Sequence, residues 1–261
     1  LLPQQASETT SQSTVRSLKW SDYSRSKPGV VLLHGMFGRP GDWAEVGREL
    51  RAEWRVITPH LPVFDFPCGQ CGLENLCDDV ERRLDQEGIE KVVLGGNSLG
   101  GHIAVLTALR QPRRVEALVL TGSSGLFERG FERGVPRRPT RAWLRQKMEE
   151  VFFDPVHVTE ERLDSVCETV GDTRTMLNAV RLARSIKRSN LRELLPTIQC
   201  PVTLVWGEND RITPPEVAHE FARYLPVSEV HIIKRCGHTP PMEQPAEFYR
   251  IFRASLERLS G

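Results

Sequence analysis

The chain has 261 residues, of which 35 are Lys or Arg and 34 are Asp or Glu, for a formal net charge of +1; 39% of residues are hydrophobic. So balanced a charge gives no electrostatic footprint for nucleic acid or another polyanion, and no apolar run reaches the roughly 18–20 residues of a membrane span. A chain of this length buries enough apolar surface to fold without disulfides or a structural metal.

Residues 1–14 are rich in Ser, Thr and Gln and read as a flexible leader. Leu1 rather than Met at the first position points to a native start further upstream, which leaves a removed signal peptide open. From there apolar runs alternate with amphipathic stretches, the pattern of a parallel sheet covered by helices. The first run, 30–33 (VVLL), is a strand buried on both faces. It ends in His34-Gly35-Met36-Phe37-Gly38, where glycines let the backbone turn and aim an N–H group at a reacting carbonyl. Met36 is assigned as that donor, with Phe37 as the alternative, or the segment is merely a tight turn. His34 is read as a support for the loop.

A helix over 42–53 leads to a second strand at 55–58 (RVIT) and a helix over 73–87. Cys68, Cys71 and Cys77 are the only local cysteine cluster. A structural zinc site wants four ligands in two spaced pairs, so reduced thiols are expected instead of a metal. Reduced thiols favour the cytoplasm. The third strand, 91–94 (KVVL), runs directly into Gly96-Asn97-Ser98-Leu99-Gly100 and a helix over 100–110. A sharp strand-to-helix turn lifts the Ser98 hydroxyl above the sheet edge and points the helix N-terminus at it. Ser98 is the expected nucleophile and the Leu99 N–H the second oxyanion donor. His102 lies on the helix under Ser98 and is read as structural.

A fourth strand, 117–120 (ALVL), closes a core half spanning 15–123. No buried-strand run follows between 124 and 196, where 144–152 (LRQKMEEVF) and 175–186 (TMLNAVRLARSI) are the clearest helices. This segment is expected to form a cap over the ligand pocket, with extra surface helices as the plainer alternative. Phe37, Phe127 and Trp143 are candidate substrate contacts, along with Leu126, Phe131, Phe152 and Phe153. Aromatics on helices more often pack a helix's own core.

The core resumes over 197–261 with a strand at 202–206 (VTLVW), whose following loop carries Glu208 and Asp210. Open α/β sheets place their sites at this C-terminal edge, and Asp210 is expected to orient an imidazole. Its plainer alternative is a helix cap. A helix over 215–224, a strand at 230–233 (VHII) and the turn Cys236-Gly237 then deliver His238, ahead of a last helix over 245–259. The chain order Ser98, Asp210, His238 is the order of a triad on this kind of sheet.

HGMFG, GNSLGG, GENDRITPP and CGHTPPMEQP together resemble the α/β-hydrolase superfamily over about 30–259. The resemblance implies an α/β fold with a mostly parallel eight-stranded sheet, a helical cap between the sixth and seventh strands, and catalysis without a cofactor. Serine at position 98 argues against its aspartate-nucleophile branches, the dehalogenases and epoxide hydrolases. GNSLGG is similar to the elbow of hydrolases that cleave carbon–carbon bonds, but those commonly carry tryptophan after the histidine, where this chain has Thr239 and Pro240. The expected activity is therefore hydrolysis of a small or medium carboxylic ester or thioester. Carbon–carbon bond cleavage is the alternative, and a ligand receptor with a silent triad the third reading. The expected partner is a small-molecule substrate; the sequence sets no oligomeric state.

Overall fold

The computed structural model describes residues 28–67, 71–127 and 139–259. The leader at 1–14, Cys68 and Phe131 lie outside the described residues.

Six strands are formed: β1 (Gly29–Leu33), β2 (Val56–Ile57), β3 (Val92–Asn97), β4 (Val115–Thr121), β5 (Val202–Gly207) and β6 (Ser228–Ile233). They make one sheet in the order β2-β1-β3-β4-β5-β6 with every pairing parallel. The resemblance implies eight strands; six are found among the described residues, and residues 1–27 lie outside them. Parallel pairing requires a crossover between successive strands. The helices α1 (Ala44–Leu50), α2 (Leu73–Gln86), α3 (Leu99–Arg110) and α7 (Glu216–Tyr224) lie in such crossovers, and α9 (Pro245–Glu257) follows β6.

Strand side chains alternate between the two faces of the sheet, and each face has its own core. Val31, Leu33, Leu94, Leu118, Leu120 and Leu204 pack with α2, α3 and α7. Val30, Leu32, Val93, Val119 and Val205 pack instead against Trp43, Phe248 and Phe252, on the side of α1 and α9. The buried runs in the sequence follow from this double coverage. β6 lies at the sheet edge and is mostly half-buried, so it begins two residues before the apolar run that marks it. The helix expected over 42–53 is a 3-10 turn, Pro40–Trp43, running into α1.

Between β4 and β5 the chain forms α4 (Arg141–Glu149), α5 (Glu160–Gly171) and α6 (Thr173–Arg188). Thr140, Thr159 and Asp172 cap them, each accepting a backbone N–H of the first turn. α4 and α5 enclose a separate small cluster of Leu144, Met148, Phe152, Val158 and Leu163. Leu182 and Ile186 of α6 instead join the main core, and Asn178 donates to the Phe66 carbonyl at 2.9 Å. None of the helices among the described residues is long and apolar enough to cross a membrane.

Candidate active site

Because all strands are parallel, the loops after β1, β3, β4, β5 and β6 open at one edge of the sheet. The loop after β3 is the tightest. Ser98 has φ 56° and ψ −117°, a conformation that costs a non-glycine residue about 1–3 kcal/mol and persists only where its surroundings enforce it. Close backbone packing enforces it here. A Cβ on Gly96 would lie 2.4 Å from the Gly100 carbonyl oxygen, and one on Gly100 would lie 2.2 Å from that of Leu33. The Ser98 N–H donates to the Thr121 carbonyl at 3.0 Å, and the Ser98 carbonyl accepts from Gly101, His102 and Ser124.

The loop after β1 reaches the same point. A Cβ on Gly35 would be 3.4 Å from the Ser98 Cβ. His34 is buried and accepts the Leu61 N–H at Nε2 (3.0 Å), while its Nδ1–H donates to the Gly35 carbonyl at 2.8 Å. This pairing fixes one neutral tautomer, and burial lowers the His34 pKa. Met36 is partly buried against the core and Phe37 is 42% exposed, its ring 5.5 Å from that of Phe64. Leu99 opens α3, where a first-turn N–H has no acceptor within its own helix. Leu99 thus follows Ser98 directly, and Met36 follows Gly35, the residue that approaches the Ser98 Cβ.

The acid and histidine loops are tied to each other. Glu208 N–H donates to the Ile233 carbonyl and Asn209 N–H to that of Cys236, both at 2.8 Å. The Asp210 carboxylate is buried. Its Oδ1 accepts the Ile212 and Thr213 N–H groups at 2.8 and 2.9 Å; its Oδ2 accepts the Thr213 hydroxyl at 2.9 Å and His238 Nδ1–H at 2.8 Å. Asp210 does not cap a helix, since α7 has Pro215 at its N-cap and no side-chain cap bond; Oδ1 instead closes the turn at Ile212 and Thr213, while Oδ2 faces the imidazole. Glu208 is exposed. With the Nδ1 proton directed at Asp210, the basic imidazole nitrogen is Nε2.

His238 meets the elbow across the turn after β4. A Cβ on Gly122 (φ +52°) would be 2.8 Å from two atoms of the His238 ring. Asn97, next to Ser98, donates to both the Thr121 and His238 carbonyls, at 3.2 and 2.9 Å. Asn97 and Gly122 were not singled out in the sequence; only the glycine after an apolar strand end hinted at a close approach. His102 is fully buried, with Nδ1 3.3 Å from Ser124 Oγ and Nε2 3.1 Å from Ser189 Oγ. Burial lowers its pKa to about 4, and it braces α3 against the segment after α6.

Among the aromatic candidates, Phe152 is buried in the α4–α5 cluster and Trp143 packs against it. Phe127 is 49% exposed, and Leu126 packs on the main core. Burial pushes the thiols of Cys71 and Cys77 up to about 11 and about 12, so both are protonated at neutral pH. Among the described residues, no group of three or more His, Cys, Asp or Glu side chains could hold a metal ion.

Residues 30–251 match the model of the alpha/beta hydrolase family. The chain is 29% identical to the 2-hydroxy-6-oxononadienedioate/2-hydroxy-6-oxononatrienedioate hydrolase 2 of Pseudomonas putida, covering 90% of this chain and 89% of that protein. It is 31% identical to the enzyme of the same name, without the number, from Paraburkholderia xenovorans, with 90% and 88% covered. A solved structure similar to it is MGS-MChE2, an alpha/beta hydrolase enzyme from a sediment metagenome of the Mar Chica lagoon, Morocco. That match has a TM-score of 0.74 and 31% identity, with 90% of this chain and 93% of the other covered. A hydrolase by class, the chain belongs to the alpha/beta hydrolase family.

Proposed function

We propose that the chain is a serine hydrolase acting through Ser98, His238 and Asp210, and that its substrate is a vinylogous diketone acid cleaved at a carbon–carbon bond. The observation that carries the mechanism is the 2.8 Å contact of His238 Nδ1 with Asp210 Oδ2 beside a strained Ser98. The substrate class rests on the curated relatives, whose names are those of 2-hydroxy-6-oxononadienedioate hydrolases. They shift the weight from the ester that the sequence puts first to its carbon–carbon alternative.

In this reading His238 Nε2 takes the Ser98 proton as Oγ attacks the ketone carbon, and the Met36 and Leu99 N–H groups stabilise the oxyanion. Collapse breaks the carbon–carbon bond. Its electron pair enters the conjugated chain as a dienolate, which takes up a proton, and water activated by His238 releases the second product as a carboxylic acid. An ester would follow the same route with an alkoxide leaving. Only a delocalised carbanion leaves readily, so a substrate for carbon–carbon cleavage must be conjugated. Asp210 holds the imidazole tautomer and stabilises the imidazolium.

Segment 124–196 serves as a cap over this edge. Two contacts support that role: Arg162 of α5 pairs with Asp42 beyond the β1 loop at 2.8 Å, and the His238 N–H donates to the Val151 carbonyl at 2.8 Å. Phe37 and Phe127, both exposed, are the aromatic groups placed to meet substrate; Trp143 contributes to the cap's packing.

Ester hydrolysis is kept as the second reading because Thr239 and Pro240 follow His238. Assaying a 2-hydroxy-6-oxo-dienoate beside p-nitrophenyl esters separates the two. The expected result is at least a tenfold preference in kcat/KM for the dienoate, and the reverse preference overturns the carbon–carbon assignment. Ser98→Ala is expected to lower kcat on the order of 10⁶-fold with the fold retained. Residual activity near the native level would refute the triad. Failure of a fluorophosphonate to label Ser98 in folded protein would favour a binding protein.

A further inference from the structure

Glu243 lies in the short helix α8 (Pro240–Glu243), five residues beyond His238 and outside the proposed triad. Its carboxylate collects four donors. Oε2 accepts the Gly237 N–H at 3.0 Å and the Phe153 N–H at 2.7 Å; Oε1 accepts the Thr239 N–H and the Thr239 hydroxyl, each at 3.1 Å. The residues on both sides of His238 are thus held by one side chain, which also grips the segment after α4. The two chains touch directly as well. A Cβ on Gly237 would lie 2.6 Å from the Val151 carbonyl oxygen and 2.7 Å from the Phe153 nitrogen. Val151 takes the His238 N–H, and Asn97 donates to the His238 carbonyl. Met242, adjacent to Glu243, packs against the α4–α5 cluster.

From this convergence we infer that Glu243 is a positioning residue that sets His238 against Ser98 and makes the imidazole's placement depend on the seating of segment 151–153. The inference rests on the proposed role of His238 as the base. The acceptor chemistry is specific. Four donors meet two oxygens, which a carboxylate serves without offering a proton of its own. A glutamine can keep its oxygen on Gly237 and Phe153 and turn its NH₂ to the Thr239 hydroxyl, which can accept. It then leaves the Thr239 N–H facing a donor. An alanine leaves all four donors without this acceptor. Misplacing a catalytic group by about 1 Å costs on the order of 10²-fold.

The test measures two quantities on the full chain: the second-order rate of Ser98 labelling by a fluorophosphonate, and the low-field proton resonance of His238 Nδ1–H. Glu243→Ala is expected to slow labelling roughly 10²-fold and to broaden or shift the resonance, and Glu243→Gln to do so by roughly tenfold. Glu247→Gln, on the exposed face of α9 where Glu247 pairs with Arg250, should change neither. A Glu243→Gln protein that folds, labels at the native rate and keeps the native resonance overturns the inference even if its thermal stability falls. Where Glu243→Ala does not fold, the Gln variant decides. If native protein is not labelled at all, the proposed function fails, while the resonance still reports whether Glu243 positions His238.

Discussion

The edge of the sheet around Ser98 and the helical segment over α4 and α5 are built by different physical means. At the sheet edge, backbone meets backbone: Gly96 against Gly100, Gly100 against Leu33, Gly207 against Gly237. The histidines His34 and His102 there are buried and locked by paired hydrogen bonds. The α4–α5 segment has five buried apolar residues of its own and, apart from the contacts of Val151 and Phe153 with Gly237, His238 and Glu243, is laced by charged pairs. Arg141 bonds to Glu160 and Asp164, and Arg145 to Glu160, all largely exposed. Exposed pairs of this kind are screened by salt and contribute little each. Geometry is fixed where atoms have nowhere to go and is adjustable where contacts are solvated. The proposed nucleophile needs the first; the proposed cap is served by the second.

The largest expected effect therefore falls on the smallest change at the sheet edge. Gly100→Ala places a methyl 2.2 Å from the Leu33 carbonyl oxygen, a backbone atom that cannot rotate away. Overpacking typically costs about 1–3 kcal/mol, and here the clash is with backbone atoms of both Leu33 and His34, so the upper end or more is expected. For a domain of this size that is a fall in Tm of about 6–12 °C, measurable by calorimetry. A Tm within a degree of native would mean the elbow yields, and the contrast between the two regions would collapse.

The parts of this molecule that were legible in the sequence are those where local chemistry repeats a physical necessity. Strands covered on both faces leave unbroken apolar runs, and the turn around Ser98 needs glycines at fixed offsets. Asp210 and His238 could be chosen because each follows a predicted strand. Other features lacked a local signal. α5 has one buried residue, Leu163, and was not marked as a clear helix, although Thr159 before two glutamates is a capping pattern. Asn97 makes its contacts at distant positions, Thr121 and His238, and Glu243 adds to its bonds with nearby Gly237 and Thr239 one at distant Phe153. Trp143, an aromatic on an amphipathic helix, suggested a ligand contact, and it packs in part against its own segment's cluster.

Acid separates the two regions next. The His102 pKa is lowered to about 4 by burial, against an unfolded value near 6.5. Between those values the unfolded chain binds a proton that the folded chain refuses, so stability falls as pH drops from about 6.5 toward 4. His34, lowered for the same reason, adds in the same direction. The full His102 contribution is about 3 kcal/mol. Glu160 acts in the same direction but in a lower window. Arg141 and Arg145 lower its pKa, so its contribution is intact above the usual carboxylate range and is lost only as pH falls below it. Denaturant titrations at pH 7 and pH 4.5 should show a smaller loss for His102→Gln than for native protein. Equal losses would remove His102 as the cause.

The smallest expected effect has the opposite sign. Gly171 ends α5, and a Cβ there would meet nothing within 4 Å. The same glycine-to-alanine change that breaks the elbow should here only restrict the unfolded chain, raising stability by about 0.4–1 kcal/mol and Tm by about 1–4 °C. Ester or dienoate turnover should be unchanged, because α5 meets the sheet edge through Arg162 and Asp42 and not through its C-terminal turn. If Gly171→Ala lowers turnover while raising Tm, the end of α5 must move during catalysis. Seating of the helical segment would then be set by backbone freedom at its hinge as well as by the solvated charges along its length.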